Sequence, residues 1–392
     1  MILQILFWFS VVMIFYSYIL FPFIMRMISA GRENNSLIYK TEDELPFISV
    51  IMSLHNEEKV IKKKIGSIYY TSYPINRFEV LIGSDASSDS TNLICSIYAE
   101  NYYNLKFKPY RLRQGKPSVI NGLAKKAKGE ILVITDANVV FGFSTIYNLA
   151  KHFRNETIGL VDSNLKYVGL RKKGISIQEN AYMSREIRIK NFESRKWGCM
   201  MGPSGGCYAV KKELYEPVPP RFLVDDFYIN MKVLSKGKKS INSMDAVVTE
   251  DISDDLHEEF RRKIRIAAGN FQNLFVFLGL LRKPFTPVAF TFVSHKIIRW
   301  LSPLLMIMAL TASFLLSDHL FYRIVFLTGA IVSIIPAVDL LLKKIKIHIV
   351  FLRYITHFLS MNLALLTGLI KFIGGIKTSI WEPTRRKQSE EH

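Results

Sequence analysis

Cysteine is scarce in this chain: Cys95, Cys199 and Cys207 are the three in 392 residues, and no two of them stand at CxxC spacing. An odd, scattered set of this kind predicts reduced packing residues, with neither a zinc site nor a disulfide framework. Internal repeats and low-complexity tracts are absent. Acidic residues are in deficit, with 33 Asp and Glu against 52 Lys and Arg, a formal charge of +19. In a soluble protein that excess would suggest nucleic acid. Charge of either sign is missing, however, from several long runs. Ile2 to Ile24 carries none, 297–316 holds only Arg299, and 324–342 and 354–370 share only Asp339. Each run approaches the roughly 20 apolar residues that span a bilayer. A protein surface facing anionic lipid and an anionic substrate explains the basic excess better than nucleic acid does, and no nucleic-acid partner is expected.

These runs divide the chain into a transmembrane anchor at 1–25, a soluble domain at 45–255, interfacial helices at 256–296, a transmembrane region at 297–376 and a basic tail at 377–392. The first run has no basic leader and no small-residue cleavage site, which predicts an uncleaved anchor. Arg26, Arg32 and Lys40 follow it, and the positive-inside tendency then puts the middle domain in the cytoplasm. The loop Lys343, Lys344, Lys346 fits that orientation. A further span at 354–370 would leave Lys371, Lys377, Arg385, Arg386 and Lys387 outside. The last apolar stretch is therefore re-entrant or interfacial, or another crossing lies around Pro284 to Ser302.

Within the middle domain, Phe47–Leu54, Phe78–Ser84, a piece near Lys106–Leu112 and Ile131–Thr135 read as strands separated by helical stretches. The third helix is opened by Gln114-Gly115-Lys116-Pro117, with Pro in its first turn. This alternation predicts an α/β domain, a mostly parallel sheet with helices on both faces. Asp85 and Asp136 both fall at strand carboxyl ends, where open α/β sheets hold ligands. A long charged helix follows from about Ile175 to Lys196, and then a glycine-rich turn, GCMMGPSGGCYAV, enters a strand. A helix from Asp225 to about Lys236, a short strand Ala246–Thr249 and a helix near Leu256–Asn270 with Arg261, Arg262, Lys263 and Arg265 complete the domain.

Taken in order, HNEE at 55–58, SDASSDST at 84–91, GKPSVINGLAKKAKGE at 115–130, TDAN at 135–138, the GPSGGCYAV loop, VDD at 224–226 and RRKIRI at 261–266 resemble the membrane-bound branch of family 2 inverting glycosyltransferases. That branch includes cellulose, hyaluronan and poly-N-acetylglucosamine synthases. The resemblance covers about Phe47 to Arg299, with a weaker match in the terminal WEPTRR. It implies a GT-A-like fold with transmembrane helices at both ends and a site that binds a nucleotide-sugar. It also implies a membrane protein, a bacterial inner-membrane enzyme acting on a glycan or lipid-linked acceptor.

Carried over by residue, the resemblance gives Glu57 and Asp85 to the nucleotide and Lys116 and Asn121 to the diphosphate side. Asp136 and Asn138 take the positions that hold a divalent cation, Mg2+ or Mn2+, with hard oxygen ligands. Asp226 becomes the base that takes the acceptor hydroxyl proton. The letters TED recur at Thr249-Glu250-Asp251, but Val224-Asp225-Asp226 matches in context, following the glycine-rich loop and starting a helix. Gly205, Gly206 and Asp225 fall on the acceptor side, and Arg262 and Arg265 in the element that covers the donor. His295 receives no role. Ser84, Asn138 and Ile266 depart from the family pattern. They motivate the alternative of a non-catalytic nucleotide-binding membrane subunit of a glycan assembly system.

Overall fold

A computed structural model describes residues 1–170, 175–252, 255–345, 347 and 349–378. The WEPTRR match, Lys346 and most of the basic tail lie outside these residues. The chain forms two compact units. Ile28–Gly169 and Ser184–Ile252 build one around a sheet, whereas Met1–Met27, Leu170–Met183 and Ser253–Gly375 build the other from helices.

The sheet has eight strands: β1 (Ile48–Leu54), β2 (Phe78–Asp85), β3 (Leu105–Tyr110), β4 (Ile131–Thr135), β5 (Val139–Phe141), β6 (Ile158–Val168), β7 (Cys207–Lys211) and β8 (Lys239–Asp251), in the spatial order β3-β2-β1-β4-β7-β6-β8-β5. The first four strands pair in parallel and are linked by the helices Ile61–Tyr69, Thr91–Asn101 and Lys116–Lys126. β2 and β4 are buried along their whole length; β4 is a continuous apolar run, as helices on both faces require, and in β2 the buried Glu79 accepts from Ser49 Oγ and the Lys128 N–H.

The strand order reverses between β1 and β4. That reversal opens a crevice at the strand carboxyl ends, the usual ligand position in such sheets. The second half corrects the expectation of a mostly parallel sheet. β7 runs antiparallel to both β4 and β6, β5 runs antiparallel to β8, and β6 and β8 are parallel, so the sheet is mixed. The cause is the glycine-rich turn, which brings the chain back into the sheet beside β4 with Thr135 opposite Cys207 and Ile131 opposite Lys211. β8 is also far longer than the expected Ala246–Thr249. It pairs with β6 on one side and β5 on the other.

In the helical unit, four helices among the described residues are long and apolar enough to cross a membrane: Ile2–Ile28, Leu256–Arg282, Leu320–Lys344 and Val350–Ile373. The number rises to five if Pro287–Trp300 and Ser302–Leu315, bent by 60° at their junction, form one span. Asp339, the charge inside the 324–342 run, lies 3.5 Å from Arg353 of the next helix, and both side chains are buried. Pairing is how ionisable groups are accommodated among apolar helices. Glu179 accepts from Arg262 and Lys263 and lies 3.1 Å from His357 Nε2, so a buried acid joins two of these helices to residues 176–183.

Candidate active site

Two loops close one side of the crevice in the sheet unit. The Asn56 side chain accepts the Ser88 N–H at 2.8 Å, Glu58 accepts the Ser90 N–H at 2.9 Å, and His55 Nδ1 lies 2.8 Å from the Asp85 carbonyl. Asn56 and Ala86 hold left-handed backbone, φ +54° and +56°, although neither is glycine. The Glu57 N–H is tied to Thr91 Oγ1 at 2.8 Å.

The carboxylate of Asp85 is buried and accepts the N–H groups of Gln114 and Gly115 at 2.7 and 2.9 Å. Its geometry thus fixes the turn, with Gly115 at φ +83°, that starts the next helix and aims Lys116. Lys116 Nζ reaches Asp136 Oδ1 at 2.9 Å and Asp225 Oδ2 at 3.6 Å. Burial alone would lower the Lys116 pKa, but the fields of Asp136 and Asp225 outweigh it and hold the ammonium above its ordinary range. One cation therefore joins the end of β4 to the start of the helix Asp225–Ser235.

At that helix N-terminus, where the backbone dipole favours carboxylates, Asp225 and Asp226 stand side by side. Asp226 accepts the Phe227 N–H at 2.7 Å. Burial and then the neighbouring Asp225 charge push its carboxyl up to about 7, against the pull of Lys116. Such a group is poised to exchange a proton near neutral pH. Gly205, at φ +86°, brings its backbone so close that a Cβ there would stand 3.0 Å from Asp226 Oδ2. The Gly206 carbonyl accepts the Asp136 N–H at 3.0 Å. Asp225 Oδ2 and the hydroxyl of Tyr208 are buried here without a hydrogen-bond partner, so the floor of the site holds polar atoms with unused capacity.

Asn138 donates its amide to Glu250 Oε1 at 2.8 Å, which directs its carbonyl oxygen away from that carboxylate. Among the described residues no three His, Cys, Asp or Glu side chains gather as a metal cage. The donors at this corner are Asp136, whose side chain is 38% exposed, and the Asn138 carbonyl. Two hard oxygens on one turn fit a cation whose remaining ligands are diphosphate oxygens and water.

The structure thus brings Lys116, Asp136, Asp225, Asp226 and Gly205 together, with Asn138 and Gly206 on the same turns. Asn121 serves differently. Its amide donates to the Val218 carbonyl and accepts from the Tyr215 hydroxyl and the Val218 N–H, pinning the segment 215–218. Arg262 and Arg265 belong to the helical unit, where the Arg262 guanidinium is held by Glu259 at 2.8 Å and Glu179 at 3.3 Å.

Sequence reasoning missed two contributors, and gave Glu250, in the Thr249-Glu250-Asp251 run, no contact with Asn138. Glu250 orients Asn138. Lys64 is a fully buried lysine behind the Asp136 turn. Asp162 on β6 pairs with buried Lys190 at 3.0 Å and accepts from Ser204, the residue before Gly205, and so fixes the glycine-rich loop. Of these only Asp162 had a signal in the sequence, a polar residue after the apolar run 158–161.

Residues 49–217 match the family described as Glycosyl transferase family 2. Among curated relatives, the probable glycosyltransferase YdaM of Bacillus subtilis is 24% identical over 251 residues, 60% of this chain and 58% of that protein. The beta-monoglucosyldiacylglycerol synthase of Trichormus variabilis is 28% identical over 148 residues, 37% of this chain and 32% of that protein. The matches therefore span less than two thirds of these relatives' lengths. Among solved structures, the mannosyltransferase PcManGT from Pyrobaculum calidifontis, in complex with GDP-Man and Mn2+, superposes with a TM-score of 0.71 over 94% of this chain and 99% of that one, at 21% identity. That likeness establishes a GT-A-like mixed α/β fold. The family match covers residues 49–217, less than half of the chain.

Proposed function

We propose that the chain is a membrane-bound inverting glycosyltransferase. It moves a sugar from a nucleoside-diphosphate sugar, UDP-linked, to a lipid-linked or glycan acceptor in polysaccharide or glycolipid synthesis. The sheet unit works on the cytoplasmic side of a bacterial inner membrane, and the apolar helices anchor it. The observation that carries this reading is the Asp226 carboxyl, poised near pH 7 one residue from Asp225 and sharing the field of the Lys116–Asp136 pair.

In the ionised state Asp226 takes the proton of the acceptor hydroxyl. The freed oxygen lone pair forms the new bond at the anomeric carbon from the face opposite the nucleotide, and the electrons of the breaking bond leave on the diphosphate. Lys116 stands where it can meet that growing charge. A divalent cation held by Asp136 and Asn138, when bound, supplies further neutralisation of the diphosphate. Gly205 and Gly206 leave room for the acceptor, and Asp85 keeps Lys116 aimed. Glu57 is assigned to the donor through the family resemblance.

A lipid-linked acceptor is supported by the apolar helices and by a relative named for a glucosyldiacylglycerol. The test is release of nucleoside diphosphate by the full chain in lipid vesicles, over a panel of UDP- and GDP-sugars, with Mn2+ or with EDTA. Asp226→Asn should lower turnover by roughly 10²–10⁴-fold and leave nucleotide binding nearly intact. Undiminished turnover in that variant sinks the assignment.

A further inference from the structure

We infer that Lys64 is a positioning residue for the diphosphate corner: its buried ammonium bridges Thr135 and Val139, the two ends of the Asp136-Ala137-Asn138 turn, and so sets where that turn presents its oxygens. This rests on reading the corner as a nucleoside-diphosphate and cation site.

Lys64 lies on the helix Ile61–Tyr69 with no solvent exposure. Its Nζ donates to Thr135 Oγ1 at 2.8 Å and to the Val139 carbonyl at 2.5 Å, and stands 3.6 Å from the centre of the Phe141 ring. One turn on, Ser67 Oγ accepts the Phe141 N–H at 3.1 Å while donating to the Lys64 carbonyl at 2.8 Å. A single helix face thereby grips both the strand that enters the turn and the strand that leaves it.

A methionine would fill the same space without bringing a charge into the core. Among the described residues no carboxylate forms an ion pair with Lys64, and burial pushes its pKa down to about 7, partly offset by Cys207 and Asp136. Buried ammonium groups without a paired charge are unfavourable for folding. Packing therefore gives no reason for lysine here, whereas two hydrogen bonds that span the turn do. Side chains that orient ligand-bearing residues from behind typically change cation affinity by about 10–100-fold when removed.

The test compares Lys64→Met and Lys64→Gln with the wild type, as full chains in detergent, by three measurements. These are thermal unfolding, calorimetric titration with Mn2+ plus UDP and with UDP alone, and amide hydrogen exchange across 135–141. Lys64→Met should melt no lower than wild type and bind Mn2+ plus UDP about tenfold or more weakly. Binding of UDP alone should be unchanged, and exchange should be faster at 136–139 only. Lys64→Gln keeps a donor and should recover part of the loss. A role in packing alone predicts the opposite: a lower melting temperature with unchanged cation-dependent binding and unchanged local exchange. Either of those last two results in a folded variant overturns the inference. If the wild type binds neither UDP nor GDP with Mn2+, the nucleotide reading of the corner fails, while the hold of Lys64 on the turn is still decided by the exchange measurement.

Discussion

Lys116 Nζ lies 2.9 Å from Asp136 Oδ1, an ion pair that ties the first residue of a helix to the residue that follows a strand. Since Asp225 and Asp226 share its field, Lys116 is the main local compensation for three carboxylates. Lys116→Met is expected to weaken binding of a nucleoside diphosphate by about 1.5–3 kcal/mol, the range for a hydrogen bond to a charged group. It should also move the titration of Asp226 above 7. Calorimetry with UDP or GDP and a pH–rate profile check the two effects.

For Asp226 the sign of the pH dependence follows from the direction of the shift. Its carboxyl titrates at about 7 in the folded protein against 3.8 ordinarily, so folding favours the protonated form. That contribution is complete below pH 3.8 and is lost as pH rises through 7. Turnover should show the reverse, rising with pH through the same point. In Asp226→Asn both dependences vanish, and the melting temperature of the variant relative to wild type should be more favourable at pH 8 than at pH 5. Thermal scans at the two pH values decide it.

Asn138 is held by a hydrogen bond to Glu250. Asn138→Asp adds a carboxylate at this corner, but sets it against the Glu250 carboxylate. The single variant is expected to lose stability, because two like charges then face each other. Adding Glu250→Gln returns a donor and should recover that stability while binding Mn2+ more tightly than wild type. Melting temperatures and Mn2+ titrations of the two variants check this.

Ala86 has φ +56° in the loop after β2. The left-handed region costs a residue with a Cβ roughly 1–2 kcal/mol, more than the roughly 0.4–1 kcal/mol by which glycine loosens the unfolded chain. Ala86→Gly should raise the melting temperature modestly and leave nucleotide binding unchanged.

The apolar runs of β1, β2 and β4 and the polar corners after them were legible in the sequence, because a strand covered on both faces needs little beyond hydrophobicity. β6 was not. Its centre, Asp162-Ser163-Asn164, reads as a loop until Lys190, Ser204, Asn242 and the Met244 carbonyl are seen to take up its polar atoms. Lys64 was hidden for a related reason. It closes the run Lys62-Lys63-Lys64, which reads as a solvated face, yet the first two are exposed and only the third is buried. The direction of β7 depends on how a glycine-rich turn re-enters the sheet, information carried by tertiary packing rather than by local pattern.

The placement of β7 between β4 and β6 also orders events during synthesis. β1 to β4 can pair as they emerge, but one edge of β4 stays open until Cys207–Lys211 has been made, ~70 residues later. At about 5–20 residues per second, that edge waits ~4–14 s, an interval in which an apolar strand can recruit the wrong partner. The corner residue Asp136, whose N–H donates to the Gly206 carbonyl, gains that partner only when residue 206 has been made. A nascent chain stalled before residue 206 would carry a half-sheet without a working site.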